Sequence, residues 1–381
     1  MRPLVHWLTA AVCCSVCAMA GCGSNSSVSA GTPAPVTPAP VTTTAKAKFA
    51  YTGNQGASLS GYSVDISTGA LTALSGFPLP VDTNPIVVAV DPQNRFLFAG
   101  DIFHGVLHVF NINSSTGALS EIGTSPYAVD EPEAIAVDPS GMHVYVAGPH
   151  DDSVTGFSLS AAGALTPIAG SPFATSGLQL GPEGVIINAT GKFIYVQDSV
   201  NIYTYTVDAS SGALTLVQTI AGPSVPNTHG IALDPHGTYL YAVGTGTNSI
   251  EAYSINASTG LLTTAGSSPM LEQNGAFTIA ISPTGQFAYT IENSNDLVSY
   301  TLSNGMFKPI GTVYAHVYGL QIGIDPSGSF VYVPQACSNC PGGAYNVVNE
   351  FSIGSTGALT KIPGSPVAAG TTPWGIAFTT Q

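Results

Sequence analysis

Charge is what this sequence has least of. Asp, Glu, Lys and Arg together make up 7% of 381 residues, with 7 basic side chains against 21 acidic ones and a formal net charge of −14. A chain so poor in cations cannot neutralise a row of phosphates, which argues against nucleic acid and against binding to anionic lipid through net charge. Cysteine is also scarce where it would matter. Of the 6 cysteines, Cys13, Cys14, Cys17 and Cys22 fall in the first 22 residues, leaving Cys337 and Cys340 as one C-x-x-C. A zinc site needs four ligands and no second pair exists, although His316 precedes the motif; Pro341-Gly342-Gly343 follows where a thioredoxin-type site needs a helix. A small structural disulfide between Cys337 and Cys340, or two free thiols, remains. The signatures G-x-S-x-G, H-E-x-x-H and G-x-x-x-x-G-K-[ST] are all missing, and Gly244-Thr245-Gly246 follows a strand pattern but opens no helix. Serine-ester, zinc-peptidase, phosphoryl and hydride chemistry therefore have no support.

Glycine (43) and proline (28) are abundant, and both are periodic. A turn recurs as Asp91-Pro92, Asp138-Pro139-Ser140-Gly141, Asn188-Ala189-Thr190-Gly191, Asp234-Pro235-His236-Gly237, Ser282-Pro283-Thr284-Gly285 and Asp325-Pro326-Ser327-Gly328. A second marker, Gly before an apolar pair, recurs at Gly69, Gly117, Gly163, Gly212, Gly260, Gly305 and Gly357, at intervals of 45 to 52 residues. Four short apolar runs fit in each interval, which is the pattern of a propeller blade. Six turns against seven markers is explained by the ends. Lys48-Phe49-Ala50-Tyr51-Thr52 aligns with a second strand lacking its first, and Pro373-Trp374-Gly375-Ile376-Ala377-Phe378-Thr379 with a first strand lacking the rest. The expectation is an all-β, seven-bladed propeller of four-stranded antiparallel blades, closed by pairing the N- and C-terminal strands, so that no sheet edge is left at the seam.

Three regions follow. Residues 1–21 read as a signal peptide, too short and small in its residues to span a membrane. Met19-Ala20-Gly21-Cys22 resembles a bacterial lipoprotein site, with Cys22 lipidated; an ordinary secretory signal cleaved near Ala20 is the alternative. Residues 22–45 carry TPAPVTPAPVTTT and almost no side chain able to build a core, which reads as a disordered tether. Residues 46–381 form the propeller. The expected location is the bacterial cell envelope, with the membrane contacted only through the lipid and the domain a monomer.

If the first strand of each blade ends at the Asp-Pro turn, the Gly-Ala-Leu turns share that face, and the variable loops crowd the other. Variable loops on a rigid repeating scaffold are the usual place for binding chemistry. The residues just before the first strands are Ile86, Glu133, Glu183, His229, Ala276, Gly319 and Trp374. Glu133, Glu183 and His229 would converge on the axis as catalytic groups, with Trp374 as a ligand platform; the bland alternatives are caps, channel lining and core. Further out the same face carries Asp101, His104, His150, Asp151, Asp152 and Asp198, joined by Asp130 and Glu131. His104 and His150 are candidate ligand contacts. Asp130, Glu131, Asp151 and Asp152 offer the oxygen donors that Ca²⁺ or another hard cation takes, though no D-x-D-x-D-G loop occurs and a solvated acidic rim would look the same.

The repeat DPxGxFxYV, then Y-S-I, then TGALT-x-I-x-GSP resembles the seven-bladed lactonase family of propeller-type 6-phosphogluconolactonases and muconate cyclase, from about Lys46 onward. The resemblance implies an axial pocket in which a His, a Glu and arginines surround a lactone or carboxylate. His229, in Thr228-His229-Gly230-Ile231, is similar to the family's Pro-His segment, and Glu183 or Glu133 stands for the acid. The arginines are not there: beyond Arg2 the chain has only Arg95, at the first Asp-Pro turn on the opposite face. A phosphorylated or dicarboxylate substrate would be poorly held. Two readings result: a hydrolase of an uncharged lactone, or a non-catalytic surface propeller binding a carbohydrate, another small molecule or a protein.

Overall fold

A computed structural model of the chain describes residues 47–175, 181–223, 230–244, 246–265, 270–271, 275–314, 317, 319, 321–336 and 346–381. Cys22, His229, Cys337 and Cys340 lie outside these residues, as do the leader and tether. The described chain forms seven antiparallel sheets arranged as blades and no helix. Blades 1 to 6 begin with the inner strands Val87–Val90, Ala134–Val137, Gly184–Ile187, Ile231–Leu233, Ala276–Ile281 and Gly323–Ile324. The closing blade takes its inner strand from Pro373–Thr380, which pairs with Ala47–Asn54 in the register Ala50↔Phe378, Tyr51↔Ala377 and Thr52↔Ile376.

The expected four strands are present in every blade, and five blades add a short fifth. After the outer strand, the chain turns and pairs a two-residue segment with the third strand: Leu79–Pro80, Tyr127–Ala128, Phe173–Ala174, Met270–Leu271 and Val367–Ala368. Blades 3 and 5 instead run their outer strands on, as Leu214–Ala221 and Met306–Tyr314.

The Asp-Pro turns act as caps. Asp138 Oδ1 accepts the N–H groups of Met142 and His143, Asp325 Oδ1 those of Ser329 and Phe330, and Asn188 Oδ1 those of Lys192 and Phe193. The turn residue thereby supplies the acceptor that the start of the second strand lacks.

The glycine markers hold neighbouring blades together. Each adopts φ between +71° and +87° in the turn between third and fourth strands, a region that costs other residues strain. A Cβ there would meet, at 2.3 to 2.7 Å, the first ring of the preceding blade's second strand: Phe49 at Gly117, Phe96 at Gly163, His143 at Gly212, Phe193 at Gly260, Tyr239 at Gly305, Phe287 at Gly357 and Phe330 at Gly69. Two residues on, a tyrosine completes the contact. Tyr51, Tyr145, Tyr195, Tyr289 and Tyr332 donate to the carbonyls of Gly117, Gly212, Gly260, Gly357 and Gly69 at 2.7 to 3.1 Å. The core is correspondingly divided: each hydrophobic cluster draws on two adjacent blades, as where Phe193, Tyr195 and Ile202 of blade 3 meet Leu240, Ala242 and Tyr253 of blade 4. The repeat therefore encodes an interface as much as a blade.

Candidate functional site

The inner strands all start on the loop face, so the residue before each strand is carried to the axis. A pocket of about 150 Å³ opens there, lined by Ile86, Glu133, Glu183, Gln321 and Trp374 with the strand starts beside them. Glu133, Glu183 and Trp374, some from opposite ends of the chain, are thus brought together as their repeat positions imply. Val87, Ala134, Ile135, Val185 and Ile231 add apolar surface to the lining. No Lys or Arg is among the described lining residues.

Both carboxylates are partly buried. Burial first, then the nearby charges of Glu183 and Glu131, pushes the Glu133 carboxyl up to about 8 from an ordinary value of 4.5. Two acids that share a poorly solvated space do not both ionise, so Glu133 keeps its proton at neutral pH. Folding is linked to that proton. The native state holds it between pH 4.5 and about 8 while the unfolded chain releases it, so this group's contribution is full below pH 4.5 and is lost as pH rises through 8. Glu133→Gln should remove the dependence: its melting temperature is expected to gain on the wild type by at least about 2 °C, the effect of ~1 kcal/mol, between pH 5 and pH 9. An equal difference at both pH values, measured by calorimetry, would show that Glu133 is solvated and normal.

Gln321 is the pocket residue that repeat alignment misses, because alignment points to Gly319. In the structure Gly319 forms an isolated bridge to Gln335, and Gln321 reaches the axis two residues later. Its Oε1 accepts the Ile376 N–H at 2.9 Å, tying blade 6 to the closing strand. The Trp374 Nε1–H is buried and has no acceptor among the described residues, which leaves a donor in the pocket wall.

The outer histidines and acids do not line the pocket. Loops between second and third strands stand at larger radius than the inner strands, so His104 and His150 stay on the rim. His104 Nδ1 is 2.7 Å from Asp101 Oδ2, and Asp101 also accepts the N–H groups of Asn84, Phe103 and His104; it is a loop cap. Asp198 likewise accepts from Val200, Asn201 and the Tyr203 hydroxyl. Of the acids considered for a cation, Asp130 and Asp151 do meet, with His150: their ligand atoms lie within 4.8 Å of one another. The His150 pKa is raised, by its hydrogen bond to Asp151 and then by Asp130 and Glu131. Asp152 is turned away and accepts the Gly181 N–H at 3.0 Å, and Glu131 stays exposed outside the trio.

Comparison with known proteins agrees with this architecture. A family model described as lactonase, 7-bladed beta-propeller, matches residues 87–177, 130–225 and 222–381. A sequence search of curated proteins finds no match. Among solved structures, a candidate 6-phosphogluconolactonase from Bacteroides fragilis superimposes with a TM-score of 0.74 at 18% identity, covering 90% of this chain and 100% of its own. A second, from Bacteroides uniformis, gives 0.74 at 17% identity, covering 88% and 99%. The periplasmic gluconolactonase of Pseudomonas aeruginosa gives 0.70 at 16% identity, covering 87% and 98%. At such identities the structural likeness concerns the fold; with the family match over most of the ring, the chain belongs to the seven-bladed β-propeller lactonases.

Proposed function

We propose that the protein hydrolyses an uncharged lactone in the axial pocket, and that it works in the bacterial cell envelope, held by a lipid on Cys22. The observation that carries the catalytic part is the pair Glu133 and Glu183 in a pocket whose lining has no Lys or Arg. A neutral ring fits there. A phosphate or second carboxylate would face two acids with no Lys or Arg among the described lining residues to offset it. The names of the Bacteroides and Pseudomonas structures point to sugar lactones as the substrate type, and the missing cations favour the unphosphorylated kind.

The pair supplies acid and base from one residue type, because their surroundings separate them. Glu183, as carboxylate, takes a proton from water as the water oxygen bonds to the lactone carbonyl carbon. The tetrahedral carbon then expels the ring oxygen, which receives the Glu133 proton, giving an open hydroxy acid. The proton gained by Glu183 passes back to Glu133 for the next turnover. The new carboxylic acid gives its proton to solvent, and the resulting carboxylate is repelled by the Glu183 carboxylate, which favours release. Removing either role from Glu133→Gln or Glu183→Gln should lower kcat/KM by ~100-fold or more, the usual weight of general acid or base catalysis. The measurement is a panel of neutral five- and six-membered lactones, run with Ca²⁺ and with EDTA, and the rate should fall above about pH 8 as Glu133 loses its proton. Wild-type turnover no faster than the uncatalysed opening across the panel, or undiminished rates in both variants, would refute the reading.

A further inference from the structure

Opening a lactone changes the charge on three oxygens, and the two acids serve only two of them. Glu183 serves the attacking water and Glu133 the departing ring oxygen. The carbonyl oxygen, which takes up negative charge as the tetrahedral carbon forms, is left without a donor beside a Glu183 that began as a carboxylate. A donor aimed at that oxygen is usually the largest electrostatic contribution to acyl transfer. The backbone at the strand starts does not supply it: the N–H groups of Ile86, Glu133, Glu183 and Gly375 already go to the carbonyls of Gly100, Ala147, Gln197 and Ile86. Among the described lining residues, two side chains carry an N–H, Trp374 and Gln321. The Trp374 Nε1 is buried in the wall, which leaves Gln321.

The orientation of this amide is set by its partner. A backbone N–H can only donate, so the end of Gln321 that meets the Ile376 N–H at 2.9 Å is the oxygen, and the NH₂ is the other end. Gly375 makes room for the contact: a Cβ there would stand 3.1 Å from Gln321 Oε1 and 2.7 Å from the Ile86 carbonyl oxygen. The side chain is half-buried, and no described residue accepts a hydrogen bond from its Nε2. A pinned side chain thus keeps two N–H bonds for whatever enters the pocket it lines.

Ring symmetry then places it. Gln321 enters from blade 6, Glu133 from blade 2 and Glu183 from blade 3. Counted one way, blade 3 lies three steps from blade 6; counted the other way, through the closing blade and blade 1, blade 2 also lies three steps away. In a ring of seven, that is the position across the axis from the pair. We infer that Gln321 is a further catalytic residue, the donor to the carbonyl oxygen of a ring held between it and the two acids. As the water oxygen bonds to the carbonyl carbon, the π pair moves onto the carbonyl oxygen, and the Gln321 N–H bonds stabilise that charge. The pair returns to re-form the C=O as the ring oxygen leaves with the Glu133 proton, and Gln321 neither gains nor loses a proton.

The inference rests on the lactone reading above, and the experiment reads the hydrogen bond without needing turnover, so the two fail separately. The probe is D-glucono-1,5-lactam labelled with ¹³C at the carbonyl, a neutral ring that resists hydrolysis, followed by NMR as it saturates the protein. In the wild type the carbonyl carbon should move downfield on binding, as a carbonyl that accepts a hydrogen bond does. Gln321→Met should remove that shift and weaken lactam binding by up to ~10-fold, the weight of one neutral hydrogen bond. It should leave 1,5-anhydro-D-glucitol, which has no oxygen on that carbon, bound as before. Gln321→Glu keeps an oxygen on the Ile376 N–H, so its melting temperature should match the wild type, yet it should lose the shift once its carboxyl is ionised. On a lactone that the wild type opens, Gln321→Met should lower kcat by ~100-fold, the cost of one oxyanion donor, with a much smaller change in KM. A bound carbonyl shift equal in wild type and Gln321→Met, or equal weakening of the lactam and the anhydroglucitol, overturns the role of Gln321 and leaves the lactone reading standing. A shift lost in the variant of a protein that opens no lactone keeps Gln321 as the carbonyl donor and removes hydrolysis. A wild type that does not bind the lactam overturns both.

Discussion

Deletion of Pro373 to Gln381 should leave a chain that melts at least about 10 °C below the full-length protein or fails to stay soluble. The nine residues are not a tail. Gly375 donates to Ile86 of blade 1, Ile376 to Gln321 of blade 6, and Thr380 to Asn94 of blade 1, while Thr379 Oγ1 accepts the Phe49 N–H within the closing blade. Ile376 is buried in the cluster shared with blade 6, and Ala377 in the one shared with blade 1. Losing one large buried side chain typically costs about 2–5 kcal/mol, and here two interfaces lose theirs together. The strand Ala47–Asn54 would also become an open edge, ready to pair with another molecule. Calorimetry and size-exclusion chromatography read both effects. A truncated protein that melts within about 2 °C of the original would mean the ring does not depend on its seam.

The second large effect is expected at a single hydrogen atom. Gly260→Ala places a Cβ 2.4 Å from Phe193 Cδ1 at a φ of +72°, with Phe193 Cγ and Cε1 at 2.5 and 2.8 Å. The backbone strain is ~1 kcal/mol and the overpacking roughly 1–3 kcal/mol more, because Phe193 sits in a full cluster and cannot retreat. A fall of roughly 4–8 °C in melting temperature follows, at the same ~2 °C per kcal/mol. Gly364→Ala is the internal reference: φ is +93° but nothing lies within 4 Å of the new carbon, so only the backbone part is felt. Equal losses in the two variants, measured side by side, would show that the markers serve backbone conformation alone and not the contact between blades.

The markers also show where sequence reading stops. Their period, the Asp-Pro turns and the split repeat at the two ends are local patterns, and a pattern repeated seven times averages out the ambiguity of any one copy. Blade number, closure and the axial placement of Glu133, Glu183 and Trp374 follow, since equivalent positions in a ring face one axis. That the marker glycine receives the ring of the blade before it does not follow: the partners are more than sixty residues apart, as Tyr195 and Gly260 are. The outer strands of blades 3 and 5 likewise look like the rest until the missing short return strand lengthens them.

The chain's own sequence determined the all-β ring, its seven blades, its seam and the axial place of Glu133, Glu183 and Trp374, because hydrophobic alternation and turn chemistry act over a few residues and symmetry does the rest. The tertiary structure decided what those residues are. It kept His104 and His150 on the rim, since the loops between second and third strands lie at larger radius, and moved the axial position of blade 6 from Gly319 to Gln321. It also decided that Glu133 is an acid and not a carboxylate at neutral pH, because burial and a neighbouring charge act through space, where order along the chain carries no information.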